Sequence, residues 1–325
     1  MIHILTHNDL DGYAAGYIVS EHFSNEEKDI LNLNYDKEPA IENYQNGDIV
    51  VITDYSLTND QYRQILERVG DDGHLIWCDH HKTAMDRYAE DPELCWEGIR
   101  STKYCGAVLT YLYFETDVDT VDIEELPYNT IINKVPRWLR YVDAWDTWKL
   151  DSPYRRDAEA LNLAVQSNLS FELMAELSDC VRDYIHIGKT YMEFRDSWAK
   201  AFRDQYMFHK QLDGKMFGTD REITACILTL GNANSQFFGD EIDKSDVCIT
   251  QCFDGTKWKV SVYSNKEDID CGLYCKHFGG GGHKGAAGCY FEQLYPPGFI
   301  GENIEILGKE LYNMSVIEER LQNKE

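Results

Sequence analysis

Three short apolar runs near the start of the chain constrain its fold most: Ile2 to Thr6, Asp48 to Thr53 (DIVVIT) and Gly73 to Cys78 (GHLIWC). Between them lie two stretches of helical periodicity, Gly12 to His22 and Asn59 to Val69. Short runs rich in Ile and Val, separated by helix-length segments, predict βαβ units around a parallel sheet covered on both faces. In open sheets of this kind ligands gather beyond the carboxyl ends of the strands. The residues that follow each run are therefore where chemistry is expected.

Those residues are acids and imidazoles. After the first run comes Thr6-His7-Asn8-Asp9-Leu10-Asp11-Gly12. Alternate residues of an extended segment point the same way, so His7, Asp9 and Asp11 can converge on one point. An equally simple reading is an Asx-rich turn into a helix, with Asp11 as its N-cap. The second run ends in Thr53-Asp54-Tyr55-Ser56 and the third in Trp77-Cys78-Asp79-His80-His81-Lys82. A lone Asp after a strand is usually a cap, but three successive strand ends that all deliver such groups predict one shared pocket. Dense carboxylates suit Mg²⁺ or Mn²⁺, and the imidazoles shift preference toward Mn, Fe, Co or Zn. Two ions about 3.5–4 Å apart, bridged by a shared carboxylate and a water, would account for so many ligands. Tyr141-Val142-Asp143-Ala144-Trp145-Asp146-Thr147-Trp148 adds two acids among aromatics, where a carboxylate is costly unless paired or metal-bound. Asp143 is the expected ligand and Asp146 the reserve, because Asp146 could instead cap a helix or pair with Arg140.

Farther along, Pro153 to His209 is predominantly helical by periodicity, while Ile223 to Leu230 and Lys257 to Tyr263 read as strands, with Gly255 in the turn before the latter. This predicts a smaller second α/β domain, and an amphipathic helix is expected over Ile304 to Gln322. The expected division is 1–150, a helical linker over 151–212, and 213–325. Within the last part stands Phe278-Gly279-Gly280-Gly281-Gly282-His283-Lys284-Gly285-Ala286-Ala287-Gly288. Consecutive glycines let backbone N–H groups approach one anion, and His283 and Lys284 add side-chain donors, so a phosphate or sugar-phosphate end is the expected guest. The segment is neither G-x-G-x-x-G after the first strand nor G-x4-G-K-[ST], which disfavours dinucleotide-cofactor and P-loop readings.

With 57 Asp plus Glu against 31 Lys plus Arg the formal charge is −26. That argues against blanket phosphate neutralisation on duplex nucleic acid, so an anionic substrate must be held locally. Ten cysteines are too dilute for a disulfide scaffold, and buried reduced thiols are expected. The pairs Cys248/Cys252 and Cys271/Cys275 lack zinc spacing, although at i, i+4 each could share a helix face. No run of about 18 apolar residues occurs, and the first residues lack a secretory pattern. The chain is accordingly expected to be soluble and cytoplasmic, with no membrane partner.

In their order, His7-Asn8-Asp9-Leu10-Asp11, Asp54, Asp79-His80-His81, Asp143 and Gly279 to His283 make the sequence resemble the DHH phosphoesterase family, most closely its nanoRNase B-type oligoribonucleases. The resemblance spans an N-terminal catalytic DHH domain with a parallel sheet and a C-terminal DHH-associated substrate-binding domain. It implies that His7, Asp9 and Asp54 hold one Mn²⁺ or Mg²⁺, and that Asp11, Asp54, His80 and Asp143 hold another, with Asp54 bridging. It implies that Asp79 orients its neighbouring imidazoles and that His81 contacts the scissile phosphate or acts as acid; Asp54, Asp79 and His81 form the expected catalytic set. Gly279, Gly280, Gly281, Gly282, His283 and Lys284 would grip the substrate. Many members carry Arg-Ser before the glycine loop, where this chain has Tyr263-Ser264, so the grip would rest on Lys276 or Lys284 instead.

The expected activity is two-metal exonucleolytic hydrolysis of short RNA or DNA oligonucleotides to mononucleotides, by a chain that could pair as a homodimer. Tyr263 is a candidate for stacking a base. Two alternatives are a hydrolase of cyclic or linear dinucleotides or of phosphoanhydrides, and a non-catalytic nucleotide-binding module.

Overall fold

The computed structural model describes residues 1–34, 38–82, 85, 86, 89, 97–149, 151–231 and 233–292. The helix expected over Ile304 to Gln322 lies outside them. The chain forms two compact units, Met1–Met192 and Glu193–Glu325, and the division falls inside one long helix.

In the first unit, strands β1 (Ile2–His7), β2 (Lys28–Leu33), β3 (Ile49–Thr53) and β4 (His74–Cys78) make a sheet of order β2-β1-β3-β4. Every pair in it is parallel. Helix α1 (Leu10–His22) joins β1 to β2, and α2 (Asn59–Val69) joins β3 to β4. The strands alternate between two apolar layers, as a period of two requires. Ile4, Val51, Ile76 and Cys78 face one core with α1. Leu5, Val50, Ile52, Leu75 and Trp77 face the other, with Tyr62, Ile65 and Val69 of α2. A sheet buried on both faces explains why its inner strands read as unbroken apolar runs. Strand β2 was not anticipated; it lies at the sheet edge, half exposed, and its sequence KDILNL carries the polar residues an edge tolerates. After β2 the chain returns across β1 to lay down β3, so the strand order reverses between β1 and β3. Ligand sites of open α/β sheets lie at that crevice.

Helices α3 (Gly106–Glu115), α4 (Thr120–Glu125), α5 (Tyr128–Ile132), α6 (Arg137–Asp146) and α7 (Arg155–Val165) follow. Most of them build the larger core, together with the first part of α8 (Phe171–Tyr206). Helix α8 is two helical segments joined at Cys180, whose backbone is non-helical.

The second unit carries a mixed six-stranded sheet, β5 (Phe208–Asp213), β6 (Glu222–Thr229), β7 (Val247–Phe253), β8 (Trp258–Tyr263), β9 (Gly281–His283) and β10 (Ala286–Phe291), in the order β5-β6-β7-β8-β10-β9. Only β6 and β7 pair parallel; the rest are antiparallel. Short α9 (Glu241–Lys244) and α10 (Cys271–Lys276) complete it. The two expected strands appear as β6 and β8, and Gly255 turns between β7 and β8 at φ 105°. Cys248 and Cys252 lie on strand β7, not on a helix, whereas Cys271 and Cys275 share α10 and are buried. The nine described cysteines are free thiols, seven of them buried. No described helix is long and apolar enough to cross a membrane.

Trp77 ties the second layer together: it is fully buried, packs on Tyr62 at 4.8 Å between ring centroids, and donates its indole N–H to the Tyr55 carbonyl at 3.0 Å. Trp77→Ala is expected to lower unfolding stability by about 3–5 kcal/mol in urea titration. A loss below about 1 kcal/mol would show that α2 does not depend on this contact.

Candidate metal centre

The cluster begins where β1 ends. His7 closes the strand, and Asp9 is the N-cap of α1, accepting from the Gly12 N–H at 2.9 Å. The expected cap role of Asp11 therefore falls to Asp9, whose second oxygen meets His7 Nδ1 at 2.7 Å. Asp11 sits in the first helical turn, buried, and its carboxylate accepts from the Gly106 and Ala107 N–H groups at 2.7 and 2.8 Å. Those N–H groups belong to the otherwise unpaired first turn of α3. Their role was not anticipated from sequence; the only hint is the small pair Gly106-Ala107 opening an apolar run.

Asp54 follows β3 with φ at 52°, a left-handed conformation that costs a non-glycine residue about 1–2 kcal/mol. Its N–H still bonds the Cys78 carbonyl at 2.9 Å, so the distortion turns the side chain without breaking the sheet. Gly106 packs directly on it: a Cβ at that glycine would lie 2.6 Å from the Asp54 Cβ. After β4, Asp79 Oδ1 accepts from the N–H groups of His80 and His81 and from His81 Nδ1, at 2.7, 3.1 and 2.9 Å. Asp79 thus orients the ring of His81, and fixes His80 through its backbone. His80 Nε2 lies 3.2 Å from both Asp54 Oδ1 and Asp146 Oδ2, and 3.8 Å from Asp11 Oδ2.

The fourth contribution differs from expectation. Asp143 is fully buried but engaged elsewhere: Oδ1 accepts from the Cys105 N–H at 2.9 Å, and Oδ2 from the Tyr128 hydroxyl at 2.5 Å and Lys149 Nζ at 2.9 Å. Of the two acids of α6 it is Asp146, the reserve, that lies at His80, while Asp143 faces away into this set of partners. Nor does Asp146 pair with Arg140, whose guanidinium bonds Asn133 and Val135.

Among the described residues candidate ligand atoms converge in three overlapping groups, each within 4.8 Å: His7, Asp9 and Asp54; Asp54, His80 and His81; Asp11, His80 and Asp146. Asp54 belongs to two of them. Both Asp54 oxygens, Asp146 Oδ2 and Asp79 Oδ2 are buried and accept no hydrogen bond. Buried carboxylate oxygens that accept no hydrogen bond are expensive; His80, 3.2 Å from Asp54 and Asp146, offsets them only when protonated, and the nearby cation Lys149 is committed to Asp143. A divalent cation fits this donor set of hard oxygens and imidazole nitrogens.

Electrostatics follow from burial. It raises Asp54 well above the carboxylate range, with Asp11 and Asp9 adding repulsion, and raises Asp11. Burial, reinforced by Asp11 and Asp9, pushes Asp146 up to about 8. Burial likewise pushes Asp9 up, but the hydrogen bond and charge of His7 outweigh it and leave Asp9 lowered; that same bond raises His7. Burial lowers His80, whereas the bond to Asp79 raises His81.

In the second unit the glycine run has a local structural use. The N–H of Gly279 bonds the Lys276 carbonyl and that of Gly280 the Cys275 carbonyl, closing the end of α10 with Gly279 at φ 74°. Gly281 and Gly282 enter edge strand β9, and a Cβ on Gly280 would lie 2.2 Å from the Gly288 carbonyl oxygen. His283 and Lys284 are exposed at the end of this edge. Tyr263 is half-buried, 6.4 Å from Phe238 between centroids.

No protein-family model matches the chain. It is 22% identical over 324 residues to oligoribonuclease NrnB of Bacillus subtilis, a match covering 94% of this chain and 77% of that protein. Among solved structures it shares its fold with the pGpG-specific phosphodiesterase PggH of Vibrio cholerae: TM-score 0.51, 12% identity, 98% of both chains covered. RecJ of Thermus thermophilus, solved with Mn²⁺, aligns at TM-score 0.46 and 14% identity, covering 89% of this chain and 49% of that one.

A carboxyl raised from 3.8 to about 8 on folding stabilises the folded state fully below the unfolded value, and that contribution is lost as pH rises to about 8. Without metal, thermal unfolding of Asp146→Asn should therefore fall less between pH 5 and 8 than that of the wild type. Mn²⁺ needs deprotonated ligands, so adding it should raise wild-type Tm more at pH 8 than at pH 6. Parallel pH profiles for the two proteins would refute the placement of Asp146.

Proposed function

We propose that this chain, a phosphoesterase of the DHH family, is a two-metal exonuclease that hydrolyses short oligonucleotides to mononucleotides. The observation that carries the reading is Asp54: a buried carboxylate, both oxygens without a hydrogen bond, shared between two converging ligand groups. Asp54 would bridge two Mn²⁺ or Mg²⁺ ions. His7 and Asp9 would complete one side, and Asp11, His80 and Asp146 the other. Asp11 keeps this capacity although it accepts two backbone N–H groups, because each carboxylate oxygen has two lone pairs. When bound, such ions lower the pKa of water and offset charge on the phosphoryl oxygens.

The protein's own groups would do the rest. Asp79 holds His81 through Nδ1, which leaves Nε2 as the ring nitrogen to exchange a proton with the leaving oxygen. The raised pKa of His81 keeps more of it protonated near neutrality, as an acid requires. Asp143, Tyr128 and Lys149 support the start of α3, and through it the N–H groups that hold Asp11. In the second unit His283 and Lys284 end an exposed edge strand, and with Gly279, Gly280, Gly281 and Gly282 they are our proposed phosphate grip. At −26 overall the chain repels long polyanions, so a substrate with few phosphates is favoured. Similarity to NrnB along most of the chain supports an oligonucleotide substrate. The shared fold of PggH supports a second reading, a linear dinucleotide such as pGpG. A purely nucleotide-binding module would have no use for Asp54 and Asp146 oxygens left bare.

The test is product analysis with labelled RNA and DNA of two to five residues, pGpG, cyclic dinucleotides and pyrophosphate, each with Mn²⁺ or Mg²⁺. Mononucleotides should accumulate from the oligonucleotides, and release of phosphate from pyrophosphate alone would overturn the reading. Asp54→Ala should abolish hydrolysis while leaving the circular dichroism spectrum intact; wild-type turnover would remove its bridging role. His81→Ala should lower kcat by about 10²–10⁴-fold.

A further inference from the structure

Trp148 is hard to explain as a structural residue. It follows the end of α6, two positions beyond Asp146, with φ at 50°. That left-handed position after a helix is where glycine is usually found, and a bulky side chain there carries about 1–2 kcal/mol of strain. Burial does not compensate it, since Trp148 is 60% exposed.

The indole is nevertheless held in place. Trp145 lies beside it, 5.9 Å between centroids and 30° between planes. The Arg155 guanidinium packs 4.6 Å from the Trp148 ring centroid and 4.8 Å from that of Trp145. Arg155 is itself tethered to the Ala144 and Trp145 carbonyls at 3.4 Å each, the C-terminal end of α6 where a cation is favoured. The ring is therefore oriented by its neighbours while most of its surface stays open. Beside it lies a cavity of about 590 Å³, lined among others by Tyr128, Trp148, Lys149 and Tyr154, a volume suited to a small ligand. Across two peptide units the Trp148 Cα stays within roughly 7 Å of that of Asp146.

We propose that Trp148, backed by Trp145 and Arg155, is a stacking platform for a nucleobase next to the phosphate being cleaved. The inference rests on the oligonucleotide reading and adds where a base binds in the first unit. An oriented indole loses little conformational freedom on stacking, and every base offers it a π-face, so the platform accepts bases without strong sequence preference. Strain kept at an exposed aromatic two residues after Asp146 has a use if the ring meets substrate.

The experiment uses the full chain with Mn²⁺ and two substrates: a labelled dinucleotide and its stable abasic analogue, a sugar-phosphate diester with no base and no aromatic ring to stack. For Trp148→Ala the ratio of the two KM values, dinucleotide over base-free diester, should rise about 5- to 150-fold, the range expected for loss of one stacked base. Trp148→Phe should recover most of that ratio. Trp148→Gly relieves the backbone strain, so it should unfold at an equal or higher urea concentration while keeping the raised ratio. An unchanged ratio in Trp148→Ala would overturn the platform, whether both substrates suffer equally or neither does. If the wild type cleaves the base-free diester but no dinucleotide, the oligonucleotide reading itself falls; if it cleaves both and the ratio holds, only the platform falls.

Discussion

The arrangement of the first unit depends on one unfavourable interaction, the burial of the Asp54 carboxylate with neither oxygen hydrogen-bonded. The backbone there is left-handed, the residue is 1% exposed, and Gly106 leaves no room for retreat. Removing an unpaired carboxylate from water costs several kcal/mol, and in a dry site such a group takes up a proton instead. Its raised pKa states the same fact in other units. The imidazoles of His80, His7 and His81 lie 3.2–3.9 Å away and offset this only when charged, so a divalent cation would compensate the carboxylate more fully than the chain does.

The surrounding carboxylates show what compensation looks like when the chain supplies it. Asp11 is equally buried, yet two N–H groups of α3 point at it, and Asp79 accepts three hydrogen bonds on one oxygen. These acids fix positions: Asp11 pins the first turn of α3 against the sheet, and Asp79 sets the ring of His81. Rigid placement of this kind lets a reactive group act without reorganising during the reaction. The cluster thus separates into acids that build the frame and oxygens left bare inside it.

Much of this was legible because the sheet imposes a strict pattern. Inner strands buried on two faces must be apolar throughout, so β1, β3 and β4 stood out, and the residues at their carboxyl ends could be read as one set. Edge strand β2 gave no such signal, because exposure admits Lys28, Asp29 and Asn32. In the second unit the mixed sheet gave weaker signals: β5 alternates with polar residues, β9 is Gly-Gly-His, β10 opens on small residues, and β7 carries Thr250 and Gln251 among its apolar positions. The glycine run was visible, but its composition alone does not separate a helix ending and a close strand crossing from an anion cradle. The hydrogen bonds from Gly279 and Gly280 to the end of α10 depend on that helix being there. Trp148 was equally invisible in kind, since left-handed backbone leaves no trace in a residue type that rarely adopts it.

The choice between Asp143 and Asp146 shows where reading by spacing stops. Three residues apart on one helix, they lie on neighbouring positions of the same face, so periodicity favours neither. Their fates are set by groups outside that helix: Tyr128 from α5, the Cys105 N–H before α3, and Lys149, which returns from beyond the end of α6. Lys149 also donates to Thr147 at 2.6 Å and to the Lys103 carbonyl at 2.9 Å, and lies 4.6 Å from the Tyr128 ring centroid, so its charge is firmly placed on Asp143. Asp143 is thereby paired and made part of the frame, while Asp146 has His80 at 3.2 Å and an Oδ2 that accepts no hydrogen bond. In an acidic pocket, then, the acid better placed to hold a cation is the one without a Lys or Arg on it, and that property belongs to the folded neighbourhood rather than to any residue or spacing.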